Sequence, residues 1–189
     1  MTFHLHRLSP AEFSLYAPQL VDVYLAAMGY NPQVRAHRVS TWRRDVVRPG
    51  FTAVIAERRG LIAGVGYGFL GSPDTWWDRH LRLGLEKQGG PTAAQWEMLR
   101  SYFELTEIHV HPNFQGMGIG RALLQELLWN IPARYVLLST PEVKDESNRA
   151  FGLYRSVGFF DILRDFTYPG DERPFAVLGA ELPLKATPQ

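Results

Sequence analysis

The chain changes its period abruptly at one point. From Glu104 to Val110 it reads Glu-Leu-Thr-Glu-Ile-His-Val, an alternating, strand-like run. After His111-Pro112, the segment Gln115-Gly116-Met117-Gly118-Ile119-Gly120-Arg121 leads at once into Ile119, Leu123, Leu127 and Ile131 at helical spacing. A strand that passes through a glycine-rich turn into a helix presents the helix's first amide hydrogens outward and unpaired. Those donors and the positive helix end bind phosphate, and glycine is needed wherever a side chain would hold the oxygens away. The segment therefore reads as an anion site.

Two ligand classes fit it poorly. A dinucleotide fingerprint starting at Gly116-x-Gly118 wants its third glycine where Arg121 stands. A mononucleotide phosphate loop wants a lysine and a hydroxyl after its last glycine, and here Arg121 and Ala122 follow Gly120.

What remains is Gln-x-x-Gly-x-Gly, formed by Gln115, Gly118 and Gly120 after a strand ending in Val110-His111-Pro112. A second element lies downstream: Asn148-Arg149-Ala150-Phe151-Gly152-Leu153-Tyr154, then Gly158-Phe159. Together these motifs resemble the GNAT superfamily, the acyl-CoA-dependent N-acyltransferases, whose pyrophosphate turn and Asn-x-x-Ala-type helix ending in Leu-Tyr they match. The resemblance covers nearly the whole chain. It implies an α/β (α+β) fold, with a mixed, centrally splayed sheet of six to seven strands flanked by about four helices.

The coarse pattern agrees. Thr2 to Leu8 alternates as a strand, and Ser9-Pro10-Ala11-Glu12 is a capping box with proline at the first helical position, opening a helix to about Met28. Asn31-Pro32 starts a second helix carrying Val34, Val39, Trp42 and Val46. Residues 51–57 and 61–70 read as a hairpin about Arg58-Arg59-Gly60. Strand 103–110, helix 117–130, strand 135–140, helix 147–157 and a closing hairpin of 160–168 and 174–181 follow. One region departs from the family pattern: an insertion of about 72–100 between the third and fourth strands, which Pro73 and Gly89-Gly90-Pro91 divide into two short helices.

Composition bounds the function. At 189 residues the chain is expected to form a single domain, 1–189, which the resemblance implies is an N-acetyltransferase. Its longest nearly apolar run, Leu61 to Leu70, is well below the roughly 20 residues of a membrane span. Met1 to Arg7 lack a secretory pattern, and there is no cysteine, so a cytoplasmic protein without disulfides or thiol chemistry is expected. A net charge of +1 gives no electrostatic case for a nucleic-acid partner. His4/His6 and His109/His111 place imidazoles on one strand face, but no third ligand is recognisable and no metal is expected; an acid or base role near the acceptor is the alternative for His109 or His111.

The resemblance implies acetyl-CoA as cosubstrate. The cofactor-binding set it implies is Ile108, His109 and Val110 on the fourth strand, Gln115, Gly116, Met117, Gly118, Ile119, Gly120 and Arg121 in the turn, and Asn148. Tyr154 matches the family tyrosine that protonates the departing thiolate. A phenol, with an ordinary pKa of about 10, stays protonated at neutral pH and can serve as that acid. Asn148 is alternatively a helix cap, and Tyr154 alternatively a core aromatic.

Glu107 and Glu104 are the candidate bases for the acceptor's ammonium. Their odd separation puts them on opposite faces unless a bulge intervenes, and Glu107, nearer the thioester end, is preferred. Glu142, Asp145 and Glu146 are expected to be solvated. The expected reaction is direct transfer in a ternary complex to a primary amine, on a small molecule or a protein, by a monomer or homodimer. The alternative from another class is a non-catalytic CoA-binding module that keeps the fold.

Overall fold

A computed structural model describes residues 2–185. Its elements are β1 (His4–Leu8), α1 (Pro10–Met28), α2 (Arg35–Asp45), β2 (Thr52–Arg58), β3 (Leu61–Leu70), α3 (Trp76–Lys87), α4 (Ala93–Arg100), β4 (Tyr102–Val110), α5 (Ile119–Leu128), β5 (Tyr135–Pro141), α6 (Arg149–Ser156), β6 (Phe160–Phe166) and β7 (Phe175–Glu181). The seven strands run in the order β1-β2-β3-β4-β5-β7-β6. The β1–β2, β2–β3, β5–β7 and β6–β7 pairs are antiparallel. β4 and β5 are parallel, in a register from Tyr102↔Tyr135 to Glu104↔Leu137. This is the mixed α/β architecture expected, and the insertion forms the two helices α3 and α4.

By contacts the chain falls into two compact units, Met1–Phe69 with Leu105–Trp129, and Leu70–Glu104 with Asn130–Gln189. In the first, Ser9 Oγ accepts from the Glu12 amide at 3.2 Å while the Glu12 carboxylate accepts from the Ser9 amide at 2.7 Å, so the predicted capping box starts α1. Helix α1 turns Phe13, Ala17, Leu20, Val21 and Tyr24 into a core shared with Val39 and Trp42 of α2 and with Ile55, Val65 and Tyr67 of the sheet. Trp42 is 1% exposed, and truncating such a buried ring costs about 3–5 kcal/mol. Helix α5 reaches β3 closely because Gly64 has no side chain: a Cβ there would lie 2.9 Å from Leu123 Cδ1 and 3.0 Å from the His109 carbonyl oxygen.

The second unit has its own core of Leu81 and Leu85 from α3, Met98 and Leu99 from α4, and Tyr102, Leu137, Ile162, Leu163 and Val177. The insertion is thus built into this unit. Asp78 of α3 is fully buried and accepts from the Tyr102 hydroxyl at 2.6 Å and from Arg82 Nε at 2.5 Å. A carboxylate removed from water needs such partners. Burial, with the adjoining Asp78 carboxylate, raises the Tyr102 hydroxyl pKa well above the ordinary tyrosine value.

Helix α5 ends earlier than its apolar stripe. Ile131 lies beyond the last helical residue, Leu128, because Asn130 adopts a left-handed φ of 56° and Pro132 disfavours a helical residue before it.

Candidate active site

In the first unit, β4 delivers its last residues to the glycine turn. The His111 amide bonds the Ala63 carbonyl at 2.9 Å, holding the strand end against β3. Gln115 Nε2 donates back to the Val110 carbonyl at 3.1 Å, bracing the turn on the strand that precedes it. Gly118 then caps α5 with φ 80° and ψ 2°, and a Cβ there would meet nothing within 4 Å. The first intrahelical bond is Ala122 N to Gly118 O at 3.1 Å, so by helix geometry the amides of Ile119, Gly120 and Arg121 point out of the helix start. An open space in front of those donors, at the positive helix end, is what a diphosphate requires.

Arg58, at the end of β2, is a residue the sequence reading assigned only to a turn. It is buried, donates from Nη1 to Met117 Sδ at 2.7 Å, and its guanidinium lies 5.9 Å from the Phe114 ring centre. A cation therefore backs the glycine turn. Its only sequence signal was its place in Arg58-Arg59-Gly60.

Along β4, Ile108 lies on the α5 side, since a Cβ on Gly66 would meet both Leu127 Cδ2 of α5 at 3.4 Å and Ile108 Cγ1 at 3.7 Å. Glu107 and His109 share the other face, and His109 Nε2 lies 2.5 Å from Glu107 Oε2. The ring of Tyr24, from α1, meets His109 edge-on at 5.0 Å between centres, and Arg38 of α2 lies 5.2 Å over the same tyrosine. Nearby, Asp45 at the end of α2 accepts from the Tyr67 hydroxyl at 2.8 Å. Burial raises the Asp45 pKa, the Tyr67 bond opposes that rise, and the charge of Glu107 adds to it. The α1–α2 face of this unit thus carries aromatic rings, two carboxylates and an imidazole together.

Glu104, Asn148 and Tyr154 belong to the second unit. Glu104 is buried on β4 in the segment that pairs with Leu137. Asn148 Oδ1 accepts from the Phe151 amide at 2.9 Å, so it caps α6. Tyr154 lies on that helix, nearly buried, with its ring 5.4 Å from that of Phe159.

The acids before α6 are paired rather than solvated, which corrects the expectation for Glu142 and Glu146. Arg164 binds Glu142 through Nε and Nη2 at 2.6 and 2.7 Å, and Arg155 binds Glu146 through Nη2 and Nε at 2.5 and 2.9 Å. Arg155 also reaches Asp161 at 2.6 Å. These guanidiniums hold the Glu142 carboxyl below its usual range and the Glu146 carboxyl down to about 2. Alternation and spacing cannot show such pairs, because their arginines come from α6 and β6. The network fixes the approach to α6 and hence the helix carrying Tyr154.

Among the described residues no group of three His, Cys, Asp or Glu is placed to hold a metal ion. No helix among them is long and apolar enough to cross a membrane.

Residues 49–160 match the family model described as Acetyltransferase (GNAT) domain. The chain belongs to the GNAT acetyltransferase family. It is 37% identical over 206 residues to a GCN5-like protein acetyltransferase of Mycobacterium tuberculosis, a match covering 97% of this chain and 100% of that one. It is 33% identical over 110 residues to the [ribosomal protein bS18]-alanine N-acetyltransferase of Escherichia coli, covering 57% and 74% of the two chains. Among solved structures, the yncA acetyltransferase of Salmonella typhimurium, determined with its cofactor acetyl-CoA, has the same fold, with a TM-score of 0.61, 15% identity and coverage of 100% and 99%. The GNAT assignment makes the protein an acyl-CoA N-acetyltransferase. Its glycine turn falls within the matched segment, as does Tyr154.

Proposed function

We propose that this enzyme transfers the acetyl group of acetyl-CoA directly to an amino group of a protein. The observation that supports it most is the open start of α5, where Gly118 leaves free space in front of outward-pointing amides and Arg58 lies behind the turn. In this reading residues 116–121 take the pyrophosphate, with Arg121 in the first turn of α5 adding charge. The backbone of Ile108, His109 and Val110 bonds the pantetheine arm, as the GNAT resemblance implies. Asn148 caps α6 through Oδ1, and its side-chain amide hydrogens are the group that reaches a pantetheine carbonyl. A protein acceptor is favoured because the relative aligned along its whole length is described as a protein acetyltransferase.

The chemistry needs a neutral amine, a polarised thioester carbonyl and a proton for the leaving sulfur. Strand amides of residues 108–110 polarise the carbonyl. The Tyr154 hydroxyl supplies the proton. The carboxylate of Glu107, rather than the buried Glu104, stands at the basic end of the ammonium's proton path. The cytoplasm, where acetyl-CoA is made available, is the proposed location.

The test is thiol release from acetyl-CoA over a panel of free amines, peptides with free N termini and peptides with internal lysines. Turnover confined to the peptides supports the reading. Release with small amines alone moves the acceptor to metabolites, and binding without release on any amine moves the protein to a non-catalytic module.

A further inference from the structure

The pair on β4 is more specific than a single carboxylate base. His109 and Glu107 are two residues apart on one strand, so their side chains rise from the same face. The ring nitrogen Nε2 and the carboxylate oxygen Oε2 are 2.5 Å apart, which places a proton between them. The side chains are 11% and 15% exposed, so the pair is largely shielded from solvent without being sealed from it. Tyr24 closes on the ring edge-on at 5.0 Å, so the imidazole is held from the side as well as from Glu107.

With Nε2 given to the carboxylate, the second ring nitrogen, Nδ1, is left with the lone pair. A carboxylate that fixes one imidazole nitrogen as donor makes the other a base, and then balances the charge of the imidazolium that forms. We infer that His109 Nδ1, positioned by Glu107, is the group that takes the proton from the acceptor's ammonium. This rests on the acetyl-transfer reading above and replaces Glu107 as the atom touching the acceptor. His109 is then the catalytic residue and Glu107 a positioning residue.

The protons balance. An N–H bond of the ammonium breaks and its proton joins Nδ1, leaving the nitrogen lone pair to form the C–N bond with the acetyl carbon. Nδ1 empties to solvent and takes the second nitrogen proton as the C–S bond breaks. The sulfur receives its proton separately, from Tyr154, which is reprotonated from solvent. One proton is released overall.

The groups near His109 that carry or can carry charge include Glu107 on its own strand and His111 two residues on, Tyr24 on α1, Arg38 over Tyr24, and Asp45, on which the charge of Glu107 acts and whose oxygen is held by Tyr67 of β3. Replacing Glu107 also removes a charge that bears on Asp45, whereas replacing His109 leaves that charge in place.

The experiment measures kcat/KM against pH for the full chain, with acetyl-CoA and a peptide bearing a free N-terminal alanine and one internal lysine. In His109→Gln the rate should fall by roughly a hundredfold or more, and the acid limb of the wild-type profile should vanish. In Glu107→Gln the rate should fall while the acid limb remains, since the ring nitrogen that takes the proton is still there. Loss of the acid limb in Glu107→Gln with its retention in His109→Gln would return the base role to Glu107 and overturn the inference.

Nitrogen NMR of the His109 ring reads the same arrangement without turnover. The wild-type ring should carry its proton on Nε2 when neutral, and Glu107→Gln should erase that preference. A neutral ring protonated on Nδ1 overturns the inference even if the peptide proves a poor acceptor. Failure of thiol release with the expected tautomer present would instead count against the acetyl-transfer reading.

Discussion

Trp77 Nε1 donates to the Tyr168 hydroxyl at 2.9 Å, and that hydroxyl donates on to Ser139 Oγ at 2.8 Å. The chain of bonds ties the inserted helix α3 to the segment after β6 and to β5. Trp77 also packs on the core of Leu81, Leu85 and Tyr102.

Trp77→Ala is therefore expected to cost about 3–5 kcal/mol, the usual range for truncating a packed aromatic side chain. A urea melt reads it directly. Trp76 is different: it is 49% exposed and stacks near His80, with centres 4.0 Å apart. Trp76→Ala should change stability by no more than about 0.5 kcal/mol, so the same melt separates the two neighbouring tryptophans.

A pH effect follows from the same tyrosine. Burial pushes the Tyr168 hydroxyl up to about 12, against the pull of its hydrogen-bond partners, and raises Tyr102 in the same direction. A raised folded pKa means that the unfolded chain loses its proton first, near pH 10. The contribution is therefore complete below pH 10 and is lost as pH rises towards 12, of order 2 kcal/mol for Tyr168. Chemical melts from pH 8 to 12 should show stability falling through this window. Tyr168→Phe should flatten the fall while lowering stability at pH 8 by about 1–3 kcal/mol, because the Trp77 N–H loses its acceptor. An equal slope in the variant would place the alkaline loss elsewhere.

The elements were legible because each carries its own short-range signal. The Ser9–Glu12 box, the alternation of β4 and the glycines before α5 are all local, and the structure follows them to within a few residues. What stayed hidden joins distant segments. Glu107 and His109 were readable as one face, but Tyr24 and Asp45, which complete that face, come from helices more than 60 residues earlier. The pairing of Glu142 with Arg164 and of Glu146 with Arg155 was hidden for the same reason, as a charge in a loop carries no mark of the guanidinium that will meet it. Even a local period misled once, at Ile131, where Asn130 and Pro132 end the helix while the apolar spacing continues.

At the glycine turn, the left-handed backbone and the open space separate two effects. Gly118→Ala keeps the space largely open but strains a φ of 80°, at a cost of about 1–2 kcal/mol. Gly118→Asp adds to that strain a carboxylate in front of the helix start, where a diphosphate would lie. Calorimetry with acetyl-CoA should show the aspartate variant weakened by at least about tenfold more than the alanine variant, a difference of about 1.4 kcal/mol. Equal affinities in the two folded variants would remove the turn from the binding site.

Tyr154 is the sharpest test of the chemistry, because its two readings differ in one atom. As a core aromatic it needs only its ring, which packs 5.4 Å from Phe159 on a nearly buried helix face. As the acid it needs only its hydroxyl, at the moment the C–S bond breaks. Tyr154→Phe keeps the ring, so melting should shift by no more than the roughly 0.5–1.5 kcal/mol of one hydrogen bond. Acetyl-CoA affinity should hardly change. The turnover number, measured with chemistry rate-limiting, should fall by roughly ten- to thousand-fold. A leaving-group series then identifies the cause. An alkyl thiol such as cysteine has a pKa of about 8.5, whereas an aryl thiol is more acidic and departs without help, so the penalty of Tyr154→Phe should shrink when an acetyl aryl thioester replaces acetyl-CoA. A penalty of the same size for both donors would mean that the hydroxyl acts on something other than the departing sulfur. No penalty with either would leave Tyr154 as packing for α6.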